Sequence, residues 1–389
     1  MDSKLGHGLD LVKTQDQIYK EKFVSSLRAY VLNDLASDMR QDFEKNVAGE
    51  NNFSDGFEVH KAMKGREIFS RYGSIRCAAQ EMVWGSVIDE VNDNIEYLEA
   101  QVKSYSNQAE GSLVLDPDFE FPKYYTSLDV HLMPGNYEGR VKGANSLAGA
   151  VYDNGFNVFA FGAMGKQFND IGMSMANCVR LKFPDLLPEV IVDVGCTIGH
   201  NTLPWKETFP SAEVYGLDLA GPCLQYAHAR AEAMNIKAHF RQASAQELPF
   251  DDESVDIVFS SMFLHEMPVK EIRKFMDEAF RVLKKGGVMF HMELPPNASL
   301  TPYDAFYLDW DSYYNNEPFY KTFRDLGYRD LCSTAGFQEK SFFESVMPRF
   351  TYVSEDVFEA AVSADALFDE NTGRLSDGIQ WYGFGSRKD

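Results

Sequence analysis

The chain has 389 residues, enough for two domains or for one large domain with additions, and its 44% hydrophobic and 25% charged residues are the ordinary make-up of a globular protein with a sizeable core. A formal net charge of −22, with no run of lysine and arginine to offset it, argues against nucleic acid as a partner. The five cysteines (Cys77, Cys178, Cys196, Cys223 and Cys332) are widely spaced and form no CxxC pair, which excludes a disulfide framework or a zinc site and fits a reducing, cytoplasmic setting. Residues 1–10 lack an apolar signal core, and no window approaches the ~20 apolar residues of a membrane span.

From residue 16 to 47 an apolar residue recurs every fourth position (Phe23, Leu27, Val31, Leu35, Met39, Phe43, Val47), which predicts a helix. A turn follows at 49–56, then a helix over 57–72 that stops at Gly73. A longer helix is expected over roughly 74–105, where Ile88, Val91, Ile95, Leu98, Val102 and Tyr105 form a seam with spacings of three and four. Residues 1–106 therefore read as a helical N-terminal region that caps a site, pairs two copies into a homodimer, or both. Residues 107–140 lose the helical period and gain Pro117, Pro122 and Pro134, the pattern of an extended connector. Helix returns over 141–183 in at least two pieces, separated near Gly155 and at 162–165.

Residues 190–199 read Val-Ile-Val-Asp-Val-Gly-Cys-Thr-Ile-Gly. The β-branched start suits a strand buried on both faces, and the two glycines make a tight turn into a helical pattern from His200. Strand, glycine turn and helix bring backbone N–H groups against a ligand, with Asp193 at the carboxyl end of the strand, where ligands bind in open α/β sheets. Further strands are expected at 213–218, 238–241, 255–260 and 288–294, with helices opening at Gly221-Pro222 and spanning 268–283. A helix at 321–335 and two closing strands at 338–344 and 379–386 complete a doubly wound parallel sheet.

Asp218 ends the second of these strands, 25 residues after Asp193, where a carboxylate can accept hydrogen bonds from both hydroxyls of an adenosine ribose. Three further stretches complete an ordered set: 243–262, containing Leu-Pro-Phe-Asp-Asp-Glu-Ser-Val-Asp; Phe-Leu-His-Glu at 263–266; and Arg-Val-Leu-Lys-Lys-Gly-Gly-Val-Met at 281–289. With these motifs the segment 190–388 resembles the class I S-adenosyl-L-methionine (SAM)-dependent methyltransferases, and within them the ubiquinone/menaquinone-methyltransferase-like small-molecule group. The resemblance implies a seven-stranded sheet within a domain at 141–389, SAM as cofactor and S-adenosyl-L-homocysteine as product. It implies that Asp193, Gly195, Cys196 and Gly199 form the loop under the methionine part, and that Asp218 holds the ribose with Leu219 beside the adenine. Ala245 and Gln246 would flank the adenine edge, and Ser260 would sit by the methionine end. Two positions depart from the family pattern: Thr197 replaces a common middle glycine, and Ser244 stands where an Asp often contacts the adenine.

Methyl transfer is an in-line displacement whose main demands are positioning and exclusion of water, with a base needed only for a protonated acceptor. His265 and Glu266 are the nearest titratable pair by topology, with His265 either a base or a wall of the cofactor site; Tyr137 joins them as a catalytic candidate. Ten aromatics fall in an inserted segment at about 298–328, together with Asp304, Asp309 and Asp311. This segment reads as a lid over an apolar, aromatic or cationic substrate, contacted by Tyr307, Trp310, Tyr313 and Tyr314, or else as a packing layer on the N-terminal helices. Tyr152 and Phe156 are expected to close the site from the other side. The expected activity is methyl transfer to the O, N, S or C atom of a small molecule, with no metal. A nicotinamide-dependent oxidoreductase, a non-catalytic SAM-binding regulator and a protein methyltransferase are the competing readings.

Overall fold

The computed structural model describes residues 5–49, 52–107, 110–139, 147–364, 367–369, 371–375 and 379–389; the expected helix start at 141–146 lies outside them. One eight-stranded sheet forms the centre. Its strands are β1 (Ser112–Val114), β2 (Val190–Val194), β3 (Glu213–Asp218), β4 (His239–Gln242), β5 (Val255–Ser261), β6 (Leu283–Glu293), β7 (Phe342–Pro348) and β8 (Gln380–Arg387). The spatial order is β1-β4-β3-β2-β5-β6-β8-β7, parallel from β1 to β6 and antiparallel around β8. Seven of these strands match the sequence expectation. The eighth, β1, comes from the connector and pairs with β4, with Ser112 opposite His239. Every residue of β5 is buried, as a central strand covered on both faces requires.

The N-terminal helices are α1 (Gln15–Tyr30), α2 (Ala36–Phe43), α3 (Gly56–Met63), α4 (Glu67–Asp93) and α5 (Ile95–Ser106). Thr14 opens α1 with a reciprocal cap to Gln17. π-helical turns at Val31–Leu35 and Glu44–Ala48 follow α1 and α2. They account for the apolar repeat of four: an α-helix turns every 3.6 residues, and the wider π turns absorb the excess so that Val31, Leu35, Met39 and Phe43 all stay buried. Phe23 precedes the first π turn, is out of phase and is 61% exposed. The buried face of α1 is instead Glu21, Val24, Ser25 and Arg28.

The expected stop at Gly73 does not occur, because α4 runs through it; the glycine makes room for Tyr314, whose ring would lie 2.4 Å from a Cβ there. The seam, expected to pack on neighbouring helices, on the core domain or on a second copy, is covered within the chain, where Val91 and Leu98 are buried in a cluster that includes Cys223 and Tyr226. The remaining helices are α6 (Lys123–Thr126), α7 (Leu147–Phe159), α8 (Asp170–Lys182), α9 (Leu203–Thr208), α10 (Gly221–Ala233), α11 (Val269–Val282), α12 (Pro302–Tyr314), α13 (Tyr320–Arg324), α14 (Tyr328–Thr334) and α15 (Glu355–Ser363). The aromatic segment thus becomes α12, and the helix expected at 321–335 is divided between α13 and α14. No helix among the described residues is long and apolar enough to cross a membrane.

Candidate active site

The carboxyl ends of β2, β3, β5 and β6 open onto a cavity of about 210 Å³, roofed by α1, α4, α7 and α12. On the sheet side the wall is the turn after β2. Gly195 has φ +80°, and a Cβ on it would lie 2.3 Å from the Phe263 ring, so only glycine fits. Thr197 adopts φ +49°, a strained conformation for a β-branched residue, and its N–H donates to Asp218 Oδ2 at 2.8 Å. Asp218 Oδ1 accepts from Ala220 N–H at 2.9 Å. Asp193 Oδ2 accepts from Thr202 Oγ1 at 2.6 Å, while Asp193 Oδ1 is buried with no partner. Burial pushes the Asp193 carboxyl up to about 8 and that of Asp218 to about 6, the latter against its backbone hydrogen bonds.

The opposite side holds a compact polar network. Leu264–Glu266 form a 3-10 turn just after β5. Glu293, the last residue of β6, accepts from the N–H groups of Phe263 at 2.9 Å and Leu264 at 2.6 Å and meets His265 Nδ1 at 2.6 Å. The His265 ring stacks on Tyr320, with centroids 3.8 Å apart. Burial opposes the charged imidazole, but the Glu293 charge and hydrogen bond, helped by Glu317 and Glu266, raise His265 to about 9. His131 reaches Glu266 at 3.4 Å and Glu317 at 3.2 Å, and Tyr137 donates to Glu266 Oε1 at 2.7 Å. These partners hold the Glu266 carboxyl below the usual range in spite of burial, while burial raises Tyr137 and keeps it a phenol.

Of the residues expected from sequence, Asp193, Gly195, Cys196, Asp218, Leu219 and Ala245 line the cavity on the sheet side. Tyr137, His265, Glu266, Tyr152, Phe156 and Tyr307 line it from the other sides. The rest stand behind it or elsewhere. Gly199 packs on the Phe240 ring. Ser244 donates to Gln246 Oε1 at 2.7 Å, and Gln246 turns to Met267. Ser260 bonds His291 at 2.8 Å, and its neighbour Ser261 lines the cavity instead, since successive residues of a strand face opposite ways. Trp310 and Tyr314 pack on Phe69, with Trp310 also on His60, and Tyr313 is 62% exposed, so this side of α12 forms a packing layer. The sequence reading missed Arg28, Arg76, His131, Glu293 and Glu317. Only Glu293 had a local sign, an acid at the carboxyl end of a strand.

Residues 191–287 match the family described as "Methyltransferase domain". Over 109 residues the chain is 36% identical to demethylmenaquinone methyltransferase of Thermus thermophilus, covering 28% of this chain and 49% of the relative. Over 173 residues it is 28% identical to malonyl-[acyl-carrier protein] O-methyltransferase 1 of Coxiella burnetii, covering 43% of this chain and 56% of the relative. The chain thus spans about half the length of these curated relatives. A solved structure of a SAM-dependent methyltransferase from Methanosarcina mazei aligns with a TM-score of 0.38 and 21% identity, over 53% of this chain and 96% of that one. Residues 191–287 are thus a methyltransferase domain, and the cofactor this implies is SAM. The residues present fit that cofactor: Gly195 leaves a cradle that a side chain would fill, and Asp193 and Asn201, both lining the cavity, each keep a buried oxygen without a partner.

Proposed function

We propose that the chain transfers the methyl group of SAM to a small molecule enclosed between the sheet and the N-terminal helices. The observation that carries this reading is that the turn after β2 and the His131–Glu266–Tyr137 network line one cavity. Bound SAM supplies an electrophilic methyl on a sulfonium. Asp218 would hold the ribose hydroxyls with Leu219 beside the adenine, while Asp193 and Asn201 would take the polar atoms of the methionine part. With its pKa raised, His265 keeps its proton at neutral pH and acts as a fixed cation clamped by Glu293. Proton removal then falls to Glu266, which accepts a hydrogen bond from an acceptor O–H or N–H and takes the proton as the new bond forms. Tyr137 and His131 fix the carboxylate's orientation. The aromatic walls exclude water.

The acceptors named in the relatives, demethylmenaquinone and a malonyl group on acyl carrier protein, support a class of substrate and not one compound. The free cysteines support a cytoplasmic location. A homodimer would use the outer faces of the N-terminal helices, since the seam faces inward. The test is transfer of a radiolabelled methyl group from SAM to a panel of small hydroxy, amino and thiol compounds. Label in a small-molecule product that is lost in Glu266→Gln supports the reading. SAM binding with no transfer to any of them, or label on protein alone, overturns it.

A further inference from the structure

The cavity is lined by two charged groups. Glu266, Glu293 and Glu317 form one linked group with His131 and His265, and Arg28, Arg76 and Asp311 line the cavity as a second group in which the cations outnumber the carboxylate. Arg28, 1% exposed on the buried face of α1, belongs to the second. Its Nε donates to the Phe159 carbonyl at 3.1 Å, and its Nη1 donates to Gln80 Oε1, so both partners are neutral. Its Nη2 is buried and has no partner. Arg76, 2% exposed, donates to Asp311 Oδ1 at 2.6 Å, and Asp311 also accepts from Tyr72 at 2.7 Å. Asp311 is hydrogen-bonded to Arg76 and not to Arg28, which it reaches only through space, and the Arg28 guanidinium lies over the Phe159 ring at 4.0 Å. Burial and the Arg76 charge push the Arg28 pKa down against the opposing pull of Asp311.

A buried charge without an opposite partner costs several kcal/mol, and a guanidinium fork with a free N–H matches a carboxylate. Gln80 joins the two groups: it accepts from Arg76 at 3.1 Å and donates to the His131 carbonyl at 2.9 Å, and His131 contacts Glu266. Three guanidiniums line the cavity, Arg28, Arg76 and Arg374, the last over the Tyr307 ring at 4.2 Å, and Asp311 is the carboxylate hydrogen-bonded among them, so a carboxylate is the complementary ligand charge.

We propose that Arg28, with Arg76 beside it, forms a subsite for the carboxylate of a small carboxylic acid, which the methyltransferase reading makes the acceptor. The far end of that acid would present its nucleophilic atom to Glu266.

The test is calorimetric titration of the protein saturated with S-adenosyl-L-homocysteine, using phenylacetate and benzoate against phenylacetamide and benzamide. The acids should bind at least about tenfold more tightly than their amides, the scale of one hydrogen bond to a charged group. Arg28→Met should erase that preference, leave S-adenosyl-L-homocysteine affinity unchanged and raise the melting temperature, since a buried charge with no hydrogen-bonded counter-charge has gone. Equal binding of acids and amides to the unaltered protein overturns the subsite without any variant. So does weaker S-adenosyl-L-homocysteine binding by Arg28→Met, which would assign Arg28 to the cofactor's own carboxylate. Failure of the unaltered protein to bind S-adenosyl-L-homocysteine would sink the methyltransferase reading alone, and the acid-against-amide comparison on the free protein would still decide the subsite.

Discussion

The two walls of the cavity are built in different ways. On the cofactor side the chain supplies backbone: the turn at Gly195 and Thr197, the N–H groups that fix Asp218, and the ends of neighbouring parallel strands. On the acceptor side it supplies side chains from segments far apart in sequence: Arg28 from α1, Arg76 from α4, His131 from the connector, Glu293 from β6 and Glu317 from beyond α12. In the proposed function, a wall built from backbone at the strand ends would serve any reaction that uses the cofactor, and the wall assembled from remote side chains would choose the substrate.

That contrast can be broken at either wall. The largest effect is expected on the acceptor side: Glu266→Gln should lower kcat by about 10²- to 10⁴-fold, the range of general acid–base catalysis, with SAM affinity unchanged by calorimetry. On the cofactor side Asp218→Ala should weaken SAM about 100-fold, through loss of hydrogen bonds to a charged group worth about 1.5–3 kcal/mol each. The next test is of stability against pH. His265 is raised in the folded state, so its contribution is full below about pH 6.5 and is lost as pH rises through about 9. The shift corresponds to roughly 3 kcal/mol. Urea unfolding should therefore show stability falling between these values, and the fall should be shallower by His265's share in His265→Asn, the buried cysteines supplying the alkaline remainder. Asp193, raised to about 8 by burial, loses its contribution in the same direction but at lower pH. The smallest effect belongs to Tyr313→Ser: an exposed side chain off the cavity should change stability by no more than about 0.5 kcal/mol and leave kcat alone.

The cofactor wall was legible because each of its demands is local. Buried β-branched strands, a glycine where the chain must turn tightly, and an acid at a strand end are all visible within ten residues of sequence. Gly199, Ser244 and Gln246 stand behind that wall, and Ser260 for Ser261 is a one-residue error of facing in a strand buried on both sides, where hydrophobic alternation gives no sign of direction. On the acceptor wall Tyr137, His265 and Glu266 were found, but the charged residues of the N-terminal helices were not, for a different reason. The apolar repeat of α1 drew attention to Phe23 and Leu27, while its buried face carries Glu21 and Arg28. The period that mattered was hidden by the π turns that follow. In α12 the aromatic content was plain, but one helix presents two faces. Tyr307 and Asp311 meet Tyr72, and Trp310 meets His60. Composition does not say which of the two is the substrate side.

The packing of the first helices also fixes the timing of the chain's birth. Phe43 lies against Tyr303 with ring centroids 4.7 Å apart, and Phe69 lies against Phe306 at 5.4 Å. At Gly56 a Cβ would come within 2.7 Å of the Phe306 backbone nitrogen. Translation at about 5–20 residues per second needs roughly 10–50 s to cover the sequence between Gly56 and Phe306. Throughout that interval the apolar faces of α2, α3 and α4 have emerged while the helix that covers them has not been made. A ribosome stalled short of residue 302 would carry those faces bare, a target for holding chaperones, and burial of these faces must wait for the second half of the chain.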